Sequence, residues 1–160
     1  LGGFTSATDK NRKTELRSLR FVVSVVTGSM AFVTIPIVTW IVCGAIKFGI
    51  NVIRSGLGAF DRIGHGGFPS NHTAVISSMM WTFGLIGEWH MAGLALAVLM
   101  IHVFDAIGLR REIGYHAKAL NRLSGSQLRE IVGHKPLEVA GGLGVGFAIA
   151  VIYWATGAIA

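Results

Sequence analysis

The sequence has few charged residues, and this scarcity is its strongest constraint. Only 14% of the 160 residues are Asp, Glu, Lys or Arg, whereas 52% are hydrophobic. A soluble helical domain of this length needs more polar surface than that, so the composition excludes one and indicates a membrane protein. Cysteine is nearly absent too. Cys43 stands alone inside an apolar run, which excludes a framework of disulfides within the chain.

Long apolar segments are plentiful. Four of them approach the roughly 20 residues that a helix needs to cross a bilayer, and they cover residues 21–46, 68–87, 91–109 and 137–160. The sequence therefore predicts an all-α integral membrane bundle with about four transmembrane helices. A polar, basic N-terminal tail over residues 1–20 precedes a single transmembrane domain over residues 21–160.

The connection between the third and fourth spans is polar. Within it Ile113, Ala117 and Leu120 recur at helical spacing. This pattern predicts a short amphipathic helix on the membrane surface.

One polar stretch, GGFPSNHTA over residues 66–74, opens the second span. Its two glycines let the backbone approach a ligand closely, and its proline suits the first turn of a helix. Ser70, Asn71 and His72 are therefore predicted at a helix N-terminus, where free N–H groups and the helix dipole favour an anion such as phosphate. The alternative is a capped helix with a solvent-facing histidine.

Ionisable residues lie near the ends of the spans. Lys47 and Arg54 are seven residues apart, which places them on one helix face, where two cations can hold phosphate oxygens. Snorkelling of both side chains to the interface is the alternative. Asp105 is costly inside an apolar segment, so it indicates either a functional site or an ion pair with Arg110 or Arg111.

A histidine and a carboxylate precede the fourth span. Glu138 follows His134 by four residues, and this spacing lets the carboxylate reach the imidazole. Such a contact fixes the tautomer of the ring and raises its nucleophilicity.

Glycines recur just beyond this pair, inside the fourth span, at positions 141, 142, 144 and 146. They include a GxxxG pattern, which favours close packing against another helix. Because they lie within the span, they indicate packing rather than phosphate binding.

Alternation of the four spans brings the ionisable groups to one face of the membrane. The opposite face keeps the N-terminal tail and the polar turn at residues 88–90. Nine of the 14 Lys and Arg residues fall on the first face. The positive-inside rule therefore predicts that this face is cytoplasmic.

Three ordered blocks carry a resemblance to a known family: GGFPSNHTA (66–74), FDAIGLRR (104–111) and VGHKPLEV (132–139). They resemble the divergent small-membrane-protein branch of the superfamily of type 2 phosphatidic acid phosphatases and vanadium-dependent haloperoxidases. The similarity covers roughly residues 40–145.

The resemblance implies catalytic roles. His134 would be the nucleophile that takes the phosphoryl group, and Glu138 would orient it, where the wider superfamily usually has aspartate. His72 would be the general acid that protonates the leaving oxygen.

The resemblance also implies a set of phosphate-binding residues. Lys47 and Arg54 resemble the first superfamily motif, and Ser70 and Asn71 would add hydrogen bonds. Fixed cations would then stabilise the transferred phosphoryl group without a metal or any other cofactor.

The chain departs from the superfamily pattern at three positions: Ser55 replaces proline, Asn71 replaces glycine and Leu128 replaces the arginine of the third motif. Arg129, or else Arg110 or Arg111, would then supply the missing charge. Larger relatives usually have six spans, so a second subunit, in a homodimer or in a larger membrane complex, would complete the enclosure.

The function implied is that of an integral membrane phosphatase that hydrolyses a lipid phosphate or diphosphate through a phosphohistidine. Membrane lipids are the expected partners and nucleic acid is not, since the net charge of +6 lies in segments near the headgroups. Two alternatives remain. One is a catalytically silent subunit that keeps the scaffold; the other is a lipid or anion transporter, for which Asp105 alone lies near mid-membrane.

Overall fold

A computed structural model of the chain describes residues 3–55 and 67–159, without the side chains of residues 3–11, 13, 20, 21, 23–27, 54 and 55. Within these ranges the chain forms helices joined by turns and by one longer segment without regular secondary structure. The elements are α1 (Gly3–Ser55), α2 (Asn71–Leu85), α3 (Trp89–Phe104), a π-helical turn (Asp105–Leu109), α4 (Arg110–Ser124) and α5 (Pro136–Ala155).

Among the residues that the structure describes, three helical segments are long and apolar enough to cross a membrane, namely Gly28–Ile53, Trp89–Ser124 and Pro136–Ala155. The predicted helical membrane bundle is thus confirmed. The second predicted span is α2, whose 15 residues reach only about 22 Å, less than the roughly 30 Å of a hydrocarbon core. Because α2 packs against α1, α3 and α5, it is the short central helix of the bundle.

The first helix is much longer than a span requires. α1 has 53 residues and a length of roughly 80 Å, and it continues through Pro36. It is helical from Gly3, so the backbone runs without a break across the boundary at residue 20 between the predicted tail and the membrane domain. The apolar half of α1 packs against α2 and α5.

Two glycines of α5 allow it to lie very close to α2. A Cβ atom at Gly142 would lie 2.6 Å from the carbonyl oxygen of Ser70, and one at Gly146 would lie 2.6 Å from that of Ala74. The predicted close packing through GxxxG is confirmed. On the facing side of α2, Ser77 is buried and its hydroxyl donates a hydrogen bond to the Ala74 carbonyl oxygen, at 3.1 Å. Its polar atom is therefore satisfied within the helix.

The predicted amphipathic helix is α4, which continues the third span through the π-helical turn. Gly114 and Ala117 form its buried side, whereas Ile113 and Leu120 stay exposed on the bundle. Apolar side chains exposed in this way can lie in the interfacial layer of a bilayer. At Gly125 the helix ends with a left-handed residue (φ 67°), and a connecting segment without regular secondary structure follows over residues 126–135.

Candidate functional site

The N-termini of α2 and α5 meet, and this places two of the three sequence blocks side by side. The backbone N–H of Ser70 donates to the carbonyl oxygen of Glu138, at 2.9 Å. Block 66–74 and block 132–139 are therefore joined directly, and residues far apart in sequence share one end of the bundle.

Ser70 caps α2. Its hydroxyl oxygen accepts hydrogen bonds from the backbone N–H of Thr73, at 3.5 Å, and from the Thr73 hydroxyl, at 2.9 Å. The side chain is fully buried. The structure thus gives Ser70 the role of an N-cap, and its hydrogen bond to a phosphate stays a prediction.

His134 and Glu138 form the predicted contact. Nδ1 of the imidazole lies 2.9 Å from Oε2 of the carboxylate, and His134 is only 8% exposed. The same Oε2 accepts the backbone N–H of Lys135 at 3.2 Å, which fixes the carboxylate at the start of α5. With the Nδ1 proton held by Glu138, Nε2 carries the free lone pair of the ring.

The π-helical turn positions the backbone of His134. In a regular α-helix the N–H of Arg110 would bond to the carbonyl oxygen of Ala106, but here it bonds to those of Asp105 and Gly108. The Ala106 oxygen instead accepts the N–H of His134, at 2.9 Å. Block 104–111 therefore holds the histidine through its main chain.

Asn121 holds the segment that leads to His134. Its amide nitrogen donates to the Leu128 carbonyl oxygen and to Oε1 of Glu130, both at 2.9 Å. Its amide oxygen accepts the Leu128 N–H at 2.8 Å. Leu128, which stands where the wider superfamily has arginine, is thus fixed against α4 by its backbone.

Lys47 reaches the site from α1. Its side chain passes Gly67, which has a φ of 140°, and a Cβ atom there would lie 3.4 Å from the Lys47 Cε atom. Lys47 interacts electrostatically with the Glu138 carboxylate and with Arg129. The cation is therefore near the histidine–carboxylate pair, as the resemblance implies.

Asn71 is the first residue of α2, and its side chain lies against α1. Its amide nitrogen would be 3.6 Å from a Cβ atom at Gly44, which is an ordinary van der Waals distance. Its Oδ1 atom is buried and has no hydrogen-bond partner among the described residues. Of the other predicted positions, the Arg54 and Ser55 side chains and all of Gly66 lie outside the described residues.

The three candidate arginines of the fourth-span side, Arg110, Arg111 and Arg129, each have a different partner. Nε of Arg110 pairs with Oδ2 of Asp105, the predicted ion pair at the end of the third span. Arg111 donates to the Tyr115 hydroxyl at 3.1 Å. Nε of Arg129 donates to the Ile131 carbonyl oxygen at 3.1 Å.

His72 is partly exposed at the start of α2, outside the three spanning segments. Partial burial, followed by the charges of Arg110, His134 and Lys47, lowers the pKa of His72 below its ordinary value. The ring therefore favours its neutral form near pH 7. An anion bound among these cations would offset their effect and favour the protonated form.

A groove of about 220 Å³ opens beside His134, between α4 and the connecting segment over residues 126–135. Its walls are formed by Arg111, Tyr115, Glu130, Ile131, Val132, Gly133, His134 and Lys135. A small polar molecule or water can reach the buried histidine from this side.

Sequence reasoning missed three features of the site: the Ala106 carbonyl oxygen, the Asn121 side chain and the nearness of His102 to His72. The last two carry a signal in the sequence, since Asn121 is polar within a surface helix and His102 is ionisable within an apolar span. Their partners depend on helix rotation, which the sequence pattern does not specify.

A family model described as the divergent PAP2 family matches residues 28–149, which is most of the chain and contains all three blocks. No curated protein and no solved structure matches the sequence.

Proposed function

Because the chain belongs to the divergent PAP2 family, we propose that it is a membrane phosphatase that hydrolyses a lipid phosphate or diphosphate. The observation that carries this proposal is the buried His134–Glu138 pair, 2.9 Å apart, with His72 and several cations around it. This set supplies a nucleophile, an acid and charge stabilisation at one end of a membrane bundle, where the headgroup of a lipid would lie.

In the first step, Nε2 of His134 attacks the phosphorus atom and the bond to the leaving oxygen breaks. The imidazole becomes positively charged, and the Glu138 carboxylate on Nδ1 stabilises that charge. Protonated His72 gives its proton to the leaving oxygen, so the lipid departs as an alcohol or as a monophosphate. The phosphoryl group remains on the nitrogen.

In the second step, water attacks the phosphohistidine and the P–N bond breaks. Neutral His72 accepts the proton of the water, and inorganic phosphate leaves. The groove beside His134 provides a route for the water and for the product. Both histidines return to their starting protonation states.

Charge stabilisation would come from side chains. Lys47 and Arg110 both act electrostatically on His72, and Arg129 acts on Lys47. Such fixed cations neutralise the oxygens of a transferred phosphoryl group, which is the main requirement of phosphoryl transfer. We propose that the reaction needs no metal and that the site faces the cytoplasm, in line with the positive-inside rule.

Phosphate release by the purified protein in detergent tests the function. The substrates are a panel of lipid phosphates and diphosphates, with EDTA present throughout. We expect release from at least one of them, undiminished by the chelator. Release that EDTA abolishes would refute a metal-independent mechanism.

If the folded protein releases phosphate from none of these substrates, the result would favour the second candidate, a catalytically silent subunit of a larger membrane complex. The observation behind it is Leu128, which replaces an expected arginine and whose backbone is fixed by Asn121. Isolation of the native chain from membranes would then be expected to yield a stoichiometric complex.

Gly133 offers a test of how His134 is positioned. A Cβ atom there would lie 2.5 Å from Cγ of Arg111 and 2.9 Å from the Ala106 carbonyl oxygen. We expect Gly133→Ala to displace the His134 backbone and to lower kcat by about 10²-fold, because misplacement of a reacting group by roughly 1 Å has that effect.

Gly108→Ala is the matched control, because a Cβ atom at Gly108 would meet no atom of the described residues within 4 Å. This variant should keep the activity of the wild type. Equal activity of the two variants would show that the close contact at Gly133 does not position the nucleophile.

A further inference from the structure

His102 is an ionisable residue of the third span for which the proposed reaction has no use. It lies on α3, one turn before Asp105, and is half-buried. Its Nε2 atom is buried and has no hydrogen-bond partner in the described part of the chain. A buried nitrogen without a partner destabilises the fold, so this histidine needs an explanation.

The ring of His102 faces that of His72. The two ring centroids are 5.5 Å apart, and the ring planes are tilted by 37°. His72 comes from the start of α2 and His102 from the end of α3, so each helix contributes one imidazole to a contact beside the site. Two positive charges at this separation repel each other strongly in a partly buried environment.

We propose that His102 is a positioning residue for His72 and that the two imidazoles hold one proton between them. When His102 carries the proton, His72 stays neutral. When a phosphate is bound, the proton is favoured on His72, which is nearer to it in the proposed reaction. The catalytic consequence rests on the proposed function, whereas the shared proton does not.

Four other charged or titratable groups act on the pair. Arg110 and His134 act on both rings, Lys47 acts on His72, and Asp105 acts on His102. Arg110, Lys47 and protonated His134 disfavour every proton on the pair, whereas the Asp105 carboxylate, which is paired with Arg110, favours one. Because the two rings also repel each other once both are charged, a second proton on the pair is disfavoured more strongly than the first.

An NMR titration of the imidazoles tests the pair without any need for turnover. The protein is labelled on histidine, held in detergent micelles, and compared with His102→Phe, which keeps a ring of similar shape but removes the charge. His72→Gln assigns the resonance of His72. We expect the titration midpoint of His72 to rise by about one pH unit in His102→Phe, because a like charge has been removed.

His90→Phe is the matched control, since His90 lies exposed at the opposite end of the same helix. It should leave the midpoint of His72 unchanged. Should His102→Phe fold poorly, His102→Gln gives the same comparison. An unchanged His72 midpoint in a folded His102 variant would overturn the proposal.

The pH profile of kcat/KM supplies the catalytic readout. The high-pH limb of this profile, where the general acid loses its proton, should shift to higher pH in His102→Phe. The shift should equal that of the NMR midpoint. A role in packing alone would leave that limb in place. If the wild type is inactive on every substrate but the midpoint shifts, the proton-sharing pair stands and the phosphatase proposal falls.

Discussion

His134→Ala is expected to abolish phosphate release, with a loss of at least about 10³-fold, because the reaction then has no nucleophile to carry the phosphoryl group. Because the Glu138 carboxylate keeps the backbone N–H of Lys135 as a partner when the imidazole is removed, we expect the variant to fold. A labelled substrate should leave an acid-labile phosphoryl group on the wild-type protein during turnover and none on the variant.

His116→Ala is the matched control for this substitution. His116 is an exposed histidine on α4, and none of the proposed steps involves it. The control should keep wild-type activity, and both variants should unfold at temperatures close to that of the wild type. Undiminished phosphate release by folded His134→Ala would refute the covalent mechanism.

Gly146→Ala is expected to lower the stability of the bundle by about 1 to 3 kcal/mol, since overpacking of a tight core has costs in this range. A Cβ atom at Gly146 would overlap the Ser77 hydroxyl oxygen and lie 2.8 Å from the backbone nitrogen of Ser78. The backbone of α2 cannot yield as a flexible side chain can. Thermal unfolding in detergent, followed by circular dichroism, measures the loss.

Gly144→Ala separates packing from helix propensity, because a Cβ atom at Gly144 would come within 4 Å of no atom in the described part of the chain. Alanine favours a helix more than glycine does, so this control should be as stable as the wild type or slightly more stable. If the two variants unfold at the same temperature, the close approach of α5 to α2 contributes nothing measurable to stability.

The sequence predicted the parts of this structure that depend on short-range spacing. Glu138 reaches His134 because it follows four residues later, and Asp105 pairs with Arg110 close to the end of its span. The GxxxG surface of α5 also follows from spacing, since Gly142 and Gly146 occupy one face. In each case the residues of the pattern are close neighbours in the chain, although His134 itself precedes the start of α5 at Pro136.

The other features of the structure depend on the rotation of the helices about their axes and on the lengths of the helices. His102 was visible as a polar residue in an apolar span, but its contact with His72 requires the relative rotation of α2 and α3. The length of α2 was overestimated because hydropathy marks apolar residues and not the helix end at Leu85. Ser70 lies at a helix N-terminus as predicted, where it caps α2, and its hydrogen bond to a phosphate stays a prediction.

The π-helical turn has a consequence for how this protein can change over evolutionary time. A π-helical turn amounts to one residue inserted into an α-helix, and each residue of a helix corresponds to a rotation of about 100°. An i→i−5 hydrogen bond places a residue where the preceding one would stand in an α-helix, so the turn absorbs the extra residue. A deletion of one residue within Asp105–Leu109 would therefore restore a regular helix, and the carbonyl oxygen that now accepts the His134 N–H would bond within the helix instead. The length of this turn is thus more constrained than the identity of its exposed residues.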